Sequence, residues 1–140
     1  MKRVLFDTNI ILDIALQREP FFRAACQLFG KIDDGTIKGF VTALSVTDIY
    51  YMSKKARGRE NAIAFICELI DILDVLNVTK NTVIYALNAD FKDFEDAVQY
   101  FVADMNGIDI IVTRNNADFE FSAIEICTPN ELMKKLNRNH

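Results

Sequence analysis

The groups in this sequence best placed to do chemistry are acidic side chains at the expected starts of helices. Asp7 opens the run Asp-Thr-Asn-Ile-Ile-Leu-Asp, and Asp48 lies in Ser45-Val46-Thr47-Asp48. Asp96 closes Asp93-Phe94-Glu95-Asp96, and Asp118 closes Asn115-Asn116-Ala117-Asp118. Other catalytic apparatus is scarce. The one histidine is His140, at the end of the sequence, so neither a Ser-His-Asp triad nor a Cys-His pair is available. No Walker loop, GxGxxG or GxSxG element occurs. Carboxylates gathered in one place repel and raise one another's pKa unless a hard cation neutralises them. Magnesium suits such a site, because it takes oxygen ligands, one or two carboxylates directly, and keeps several waters. Each acid taken singly also fits a plainer role. N-caps and first helical turns favour Asp through hydrogen bonding and the helix dipole.

The elements that must position these acids can be read from apolar spacing. Arg3 to Phe6 reads as a buried strand ending at Asp7. Phe21, Phe22, Ala25, Leu28, Phe29 and Ile32 have helical spacing, with Gly35 as a stop. Gly39 to Ala43 reads as a strand. Ser45 is expected to cap the next helix, whose inward face is Val46, Ile49, Tyr50 and Ser53. A further helix is expected from about Glu60, with Ile63, Ile66, Cys67 and Ile70 inward. Val75 to Val78 reads as a strand and Asn81 to Ala89 as a helix. Asp93 opens the next helix, with Phe94, Ala97, Val98, Phe101, Val102 and Met105 on one face and Gly107 at its end. Residues 109–113 and 124–127 read as strands. Thr128-Pro129-Asn130-Glu131 is a capping box that starts the last helix.

Strands alternating with helices predict a parallel sheet covered on both faces. Ligands then bind beyond the carboxyl ends of the strands, near the point where the strand order switches. Asp7 follows the first strand, and Asn115 and Asp118 follow strand 109–113, so both groups fall on that edge.

Composition bounds the reading. The 140 residues fit one domain, 1–140, and are 51% hydrophobic with no Trp. No apolar run approaches the roughly 20 residues a membrane helix needs. The first residues run straight into a strand without a signal-peptide core, which predicts a cytoplasmic protein. Cys26, Cys67 and Cys127 are far apart in apolar patterns and are expected to be free core thiols. A net charge of −4 argues against a general nucleic-acid coat protein. Local base is present nevertheless: Lys54, Lys55, Arg57 and Arg59 fall within six positions, and Lys134, Lys135 and Arg138 form a smaller group. Either group fits a phosphate track or a solvated helix end.

Three segments together resemble the PIN-domain family, which includes VapC-type toxin ribonucleases and PilT N-terminus-like proteins. They are residues 6–13 (Phe-Asp-Thr-Asn-Ile-Ile-Leu-Asp), 93–100 (Asp-Phe-Glu-Asp-Ala-Val-Gln-Tyr) and 111–119 (Ile-Val-Thr-Arg-Asn-Asn-Ala-Asp-Phe). The resemblance implies a three-layer α/β/α fold with a central parallel sheet of strand order 3-2-1-4-5. It also implies a Mg2+- or Mn2+-dependent endoribonuclease. By that resemblance Asp7 and Asp96 match the two principal metal ligands, Asp48 the second acidic position, and Asp118 the last acidic motif. Thr8, Asn9 and Thr113 match positions that shape the site, as does Asn115, which stands where many relatives carry an acid. Asp48 is a second departure, since relatives usually have Glu there, and the shorter side chain suggests a contact through water. Lys54, Lys55 and Arg57 would contact RNA. A cognate antitoxin and a homodimer are the partners implied. A degenerate PIN domain that binds RNA or protein without cutting is the alternative, and a metal-dependent phosphatase is a second one. Among the remaining acids, Asp93 is read as an N-cap. Asp13, Asp33, Asp34, Asp71, Asp74 and Asp90 are read as surface or turn residues, and Asp104 lies about 12 Å from Asp96 by helical rise.

Overall fold

The computed structural model describes residues 1–114 and 123–138. Within them the chain runs β1 (Lys2–Phe6), α1 (Thr8–Ala15), α2 (Phe22–Asp33), β2 (Ile37–Thr42), α3 (Ala43–Arg57) and α4 (Arg59–Ile72). It continues through β3 (Asp74–Leu76), α5 (Lys80–Asn88), α6 (Phe94–Met105), β4 (Ile110–Val112), β5 (Glu125–Cys127) and α7 (Pro129–Arg138). The strands form one parallel sheet of order β3-β2-β1-β4-β5, the order expected. β1 lies in the centre and switches the direction of winding. Its carboxyl end therefore opens the crevice where a ligand can enter.

Strand alternation assigns the two faces. Val4 and Phe6 of β1, Val41 of β2, and Ile110 and Val112 of β4 point to one side. There they meet Ile10 and Ile11 of α1, Leu28 of α2, Leu69 of α4 and Leu132 of α7. Leu5, Phe40 and Ile111 point to the other side and meet Ala86 of α5 and Ala97, Val98 and Val102 of α6. These are the three layers. Among the described residues no helix is long and apolar enough to cross a membrane.

One strand position admits no side chain. A Cβ on Gly39 would stand 2.4 Å from Leu73 Cδ2 and 2.7 Å from Ile32 Cδ1, both in the core. Gly39→Ala is therefore expected to lower stability by about 1–3 kcal/mol, the usual cost of overpacking. Urea denaturation measures it, and an unchanged midpoint would show that the two side chains yield freely.

Several expected details differ. α3 is capped by Thr42, whose hydroxyl accepts from the Ser45 amide, so Ser45 is a buried residue of the first turn and not the cap. The inward face of α4 is Ala62, Phe65, Ile66 and Leu69; Ile63, Cys67 and Ile70 are exposed. α6 buries Gln99 and Ala103 in place of Phe94 and Met105, which are half exposed. Asp13, expected at the surface, is fully buried between Arg114 (3.3 Å) and Arg18 (3.7 Å). Of the cysteines, only Cys127 is buried; Cys26 is intermediate. The Thr128–Glu131 capping box forms as expected, with reciprocal bonds of 2.9 and 3.2 Å.

Candidate functional site

The site begins where β1 ends. Asp7 is the first residue past the strand, and its amide still donates to the Val112 carbonyl of β4 (2.9 Å). That bond fixes the backbone, and the side chain turns to cap α1, accepting from the Thr8 amide at 2.8 Å. The same oxygen, Oδ1, accepts from Gln99 Nε2 of α6 at 3.0 Å, and Oδ2 accepts from the Thr113 hydroxyl at 2.9 Å. Asp7 is buried, yet its charge is compensated by donors from three elements. A carboxylate offers roughly four lone-pair positions, so these three donors leave one on Oδ2.

Asp48 reaches the site from a different place than the sequence suggested. With Thr42 as the cap, Asp48 lies in the second turn of α3, whose first turn holds no acid. Capping and the helix dipole therefore do not account for it. Asp96 does lie in the first turn of α6. Its amide is capped by the Asp93 carboxylate at 2.9 Å, so Asp93 is the expected N-cap.

These turns meet at a cavity of about 380 Å³ lined by Asp7, Asp48, Asp93, Glu95 and Asp96, with Thr8 and Asn9 also in its wall. Thr8 Oγ1 lies 2.7 Å from Ser45 Oγ and 3.5 Å from Glu95 Oε1, tying α1, α3 and α6 together. Glu95 was not singled out from the sequence, and it is the most perturbed acid of the group. Burial, a hydrogen bond with the Asp48 carboxylate, and the charges of Asp48, Asp7 and Asp93 push its carboxyl from 4.5 up to about 7. Two carboxyl groups can hydrogen-bond each other only through a shared proton.

The residues fit a hard divalent cation of one kind. All the donors are oxygens. Among the described residues, no three acidic groups converge closely enough to enclose an ion as they stand. A cation held by one or two carboxylates and completed by water matches the habit of magnesium.

A pH dependence follows. A carboxyl whose folded pKa lies above its unfolded value stabilises the fold while protonated. That contribution is complete below 4.5 and is lost as pH rises through about 7. In EDTA the melting temperature should therefore fall between pH 5 and pH 8, and Glu95→Gln should flatten the fall. Thermal melts of both proteins check it; parallel curves would show that Glu95 does not titrate in this range.

The structure brings Asp7, Asp48 and Asp96 to one cavity with Thr8 and Asn9, and joins Thr113 to Asp7. Asn115 and Asp118 lie outside the described residues, as does His140. Lys54, Lys55 and Arg57 are exposed in the last turn of α3. Besides Glu95, the sequence reading assigned no site role to Gln99, to Tyr51 and Met52, which also line the cavity, or to Ser45, which it read only as a cap. Glu95 had a usable signal. Helical side chains tilt toward the N-terminus, so any acid in a first turn leans out over the open end.

A family model described as the PIN domain matches residues 3–117. The chain is 26% identical to ribonuclease VapC1 of Aquifex aeolicus (strain VF5) over 97% of its own length and 96% of the relative's. Among solved structures it resembles VapC20 of Mycobacterium tuberculosis, a sarcin-ricin loop cleaving toxin. That match has a TM-score of 0.70 at 14% identity and covers 87% of this chain and 97% of the other. A toxin–antitoxin complex from Klebsiella pneumoniae matches with a TM-score of 0.68 at 20% identity, covering 90% and 97%.

Proposed function

The chain belongs to the PIN-domain family, and from that premise we propose that it is a divalent-metal-dependent endoribonuclease, the toxin of a toxin–antitoxin pair acting in the cytoplasm. The observation that carries the proposal is the cavity at the strand ends, lined by the five carboxylates of Asp7, Asp48, Asp93, Glu95 and Asp96. The relative named ribonuclease VapC1 and the similar toxin structures support RNA as the substrate.

Asp7 and Asp96 are the residues we assign to hold Mg2+ or Mn2+, with Asp48 and Glu95 beside them and Asp118 as a further acid. When bound, the cation would neutralise the scissile phosphate and activate water for attack. The chain's own residues do the rest. Gln99, Thr113 and the Thr8 amide hold Asp7 in one orientation, and Ser45 and Thr8 hold the helix starts against each other. Glu95, whose carboxyl is pushed up to about 7 by burial and its acidic neighbours, would give up its proton if a cation were bound beside it. Lys54, Lys55 and Arg57 contact the phosphate backbone of the RNA. Attack by water leaves a 5′-phosphate and a 3′-hydroxyl. A partner antitoxin would close the cavity with an arginine, whose guanidinium pairs bidentately with carboxylates and competes with the cation.

A substrate panel tests the proposal. The purified chain with Mg2+ or Mn2+ should cleave RNA internally and leave a small phosphomonoester intact. Turnover of the phosphomonoester without RNA cleavage would replace the proposal with the phosphatase alternative.

A further inference from the structure

Tyr51 and Met52 are large and apolar, they line a cavity otherwise dominated by carboxylates, and they are 66% and 44% exposed. Scattered exposed hydrophobic residues are ordinary. These two stand in the wall of the candidate site. Tyr51 lies three residues beyond Asp48 and four before Lys55, so the three side chains share one stripe of α3 in the order acid, aromatic, base. The tilt of helical side chains toward the N-terminus leans Tyr51 back over the turn that carries Asp48, in keeping with its place in the cavity wall. Its ring also packs edge-to-face on half-buried Tyr50, with centroids 5.4 Å apart, which limits its freedom before any ligand arrives. The cations after it are not consumed locally. Among the described residues, Lys54, Lys55 and Arg57 enter no ion pair.

A nucleotide strand has the same order of groups: a phosphate, a flat base, another phosphate. We propose that Tyr51 stacks an unpaired base next to the scissile phosphate while Lys54 and Lys55 take the following phosphate, with Met52 flanking the base. The site thereby selects single-stranded RNA or the unpaired bases of a loop. Stacking requires a free base face, which a duplex interior does not offer. With a net charge of −4, the chain has little general attraction for nucleic acid, so this short stripe must supply much of the affinity. The proposal rests on the ribonuclease reading for its substrate, but its own test is a binding test.

The chain has no tryptophan, so Tyr51→Trp introduces a single indole reporter. A cleavage-resistant phosphorothioate single-stranded RNA, added in Mg2+, should quench that fluorescence with the same saturation curve that anisotropy of the labelled RNA gives. A blunt duplex of equal length should not. Tyr51→Ala should weaken single-strand binding about tenfold, the scale of one lost stacked base. Tyr51→Phe should bind like the wild type, because the ring and not the hydroxyl makes the contact. Tyr51 is exposed, and thermal melts confirm that each variant folds. Absence of quenching, equal quenching by duplex, or a Tyr51→Phe variant as weak as Tyr51→Ala would each overturn the proposal. Quenching with no cleavage of any RNA would leave the stacking site standing and remove the nuclease reading. Cleavage without quenching would do the reverse.

Discussion

On the proposed function, Asp7→Asn and Asp96→Asn are each expected to lower RNA cleavage by about a thousandfold or more, because each would remove a charge assigned to hold the cation; that is about 4 kcal/mol of barrier. The structure separates this effect from a loss of folding. Asn at position 7 keeps an oxygen for the Thr8 amide and Gln99, and its new amino group can donate to the Thr113 hydroxyl. At position 96 the helix start stays capped, since the Asp93 carboxylate binds the backbone amide and not the side chain. Metal-free melting temperatures should therefore change little for either variant. Variants that melt several degrees lower but keep a tenth or more of their cleavage would show that these acids serve the fold alone.

Removing Arg114 is expected to give the largest loss of stability among single changes near the site. Asp13 is fully buried, and among the described residues neither of its oxygens accepts a hydrogen bond, so its charge depends on Arg114 and Arg18. Burial pushes the Asp13 carboxyl up, more than Arg114 and Arg18 together pull it down. Arg114→Met takes away the closer cation and its contact over the Phe21 ring, at 4.3 Å, and leaves a buried carboxylate nearly alone. Breaking such a pair costs about 3–5 kcal/mol. Asp13→Asn should cost much less, because the arginines left behind are each about 30% exposed and can reach water. The double variant should recover most of the loss. Denaturation of all four proteins measures the coupling. The deficit of Arg114→Met should shrink as pH falls, when Asp13 takes up a proton. If the double variant is no more stable than Arg114→Met, the two side chains are not coupled.

The parallel sheet was legible because its buried strands are short, continuous apolar runs, as at Ile110–Val112, and the helices between them carry clear stops; the strand order came only from the resemblance to the PIN-domain family. The first helix was legible only at its start, Asp7, and not in its extent. α1 buries Thr8, Ile10, Ile11, Leu12, Asp13 and Ala15, so it is enclosed nearly all round and shows no polar face to reveal a period. That enclosure is also why Asp13 was misread: an acid among isoleucines looks like a turn until Arg114, a hundred residues away, is brought beside it. The start of α3 was shifted because Thr42 and Ser45 both suit a cap, and only the end of β2 decides between them. The acids themselves stood out by type, but their meeting point did not. Glu95 becomes distinctive only once Asp48, Asp7 and Asp93 crowd it. Gln99 was absent from the expected inward face of a helix whose buried face is rotated from the apolar pattern by about one residue.

The central claim is that cleavage of RNA runs through a cation held at Asp7 and Asp96. It is tested most directly by incubating the purified chain with labelled RNA in EDTA, then after adding Mg2+ or Mn2+, and identifying the new ends. The account predicts intact RNA in EDTA, cleavage on adding the metal, and products that carry 5′-phosphate and 3′-hydroxyl groups. Undiminished cleavage in EDTA, or products ending in a 2′,3′-cyclic phosphate, would contradict it.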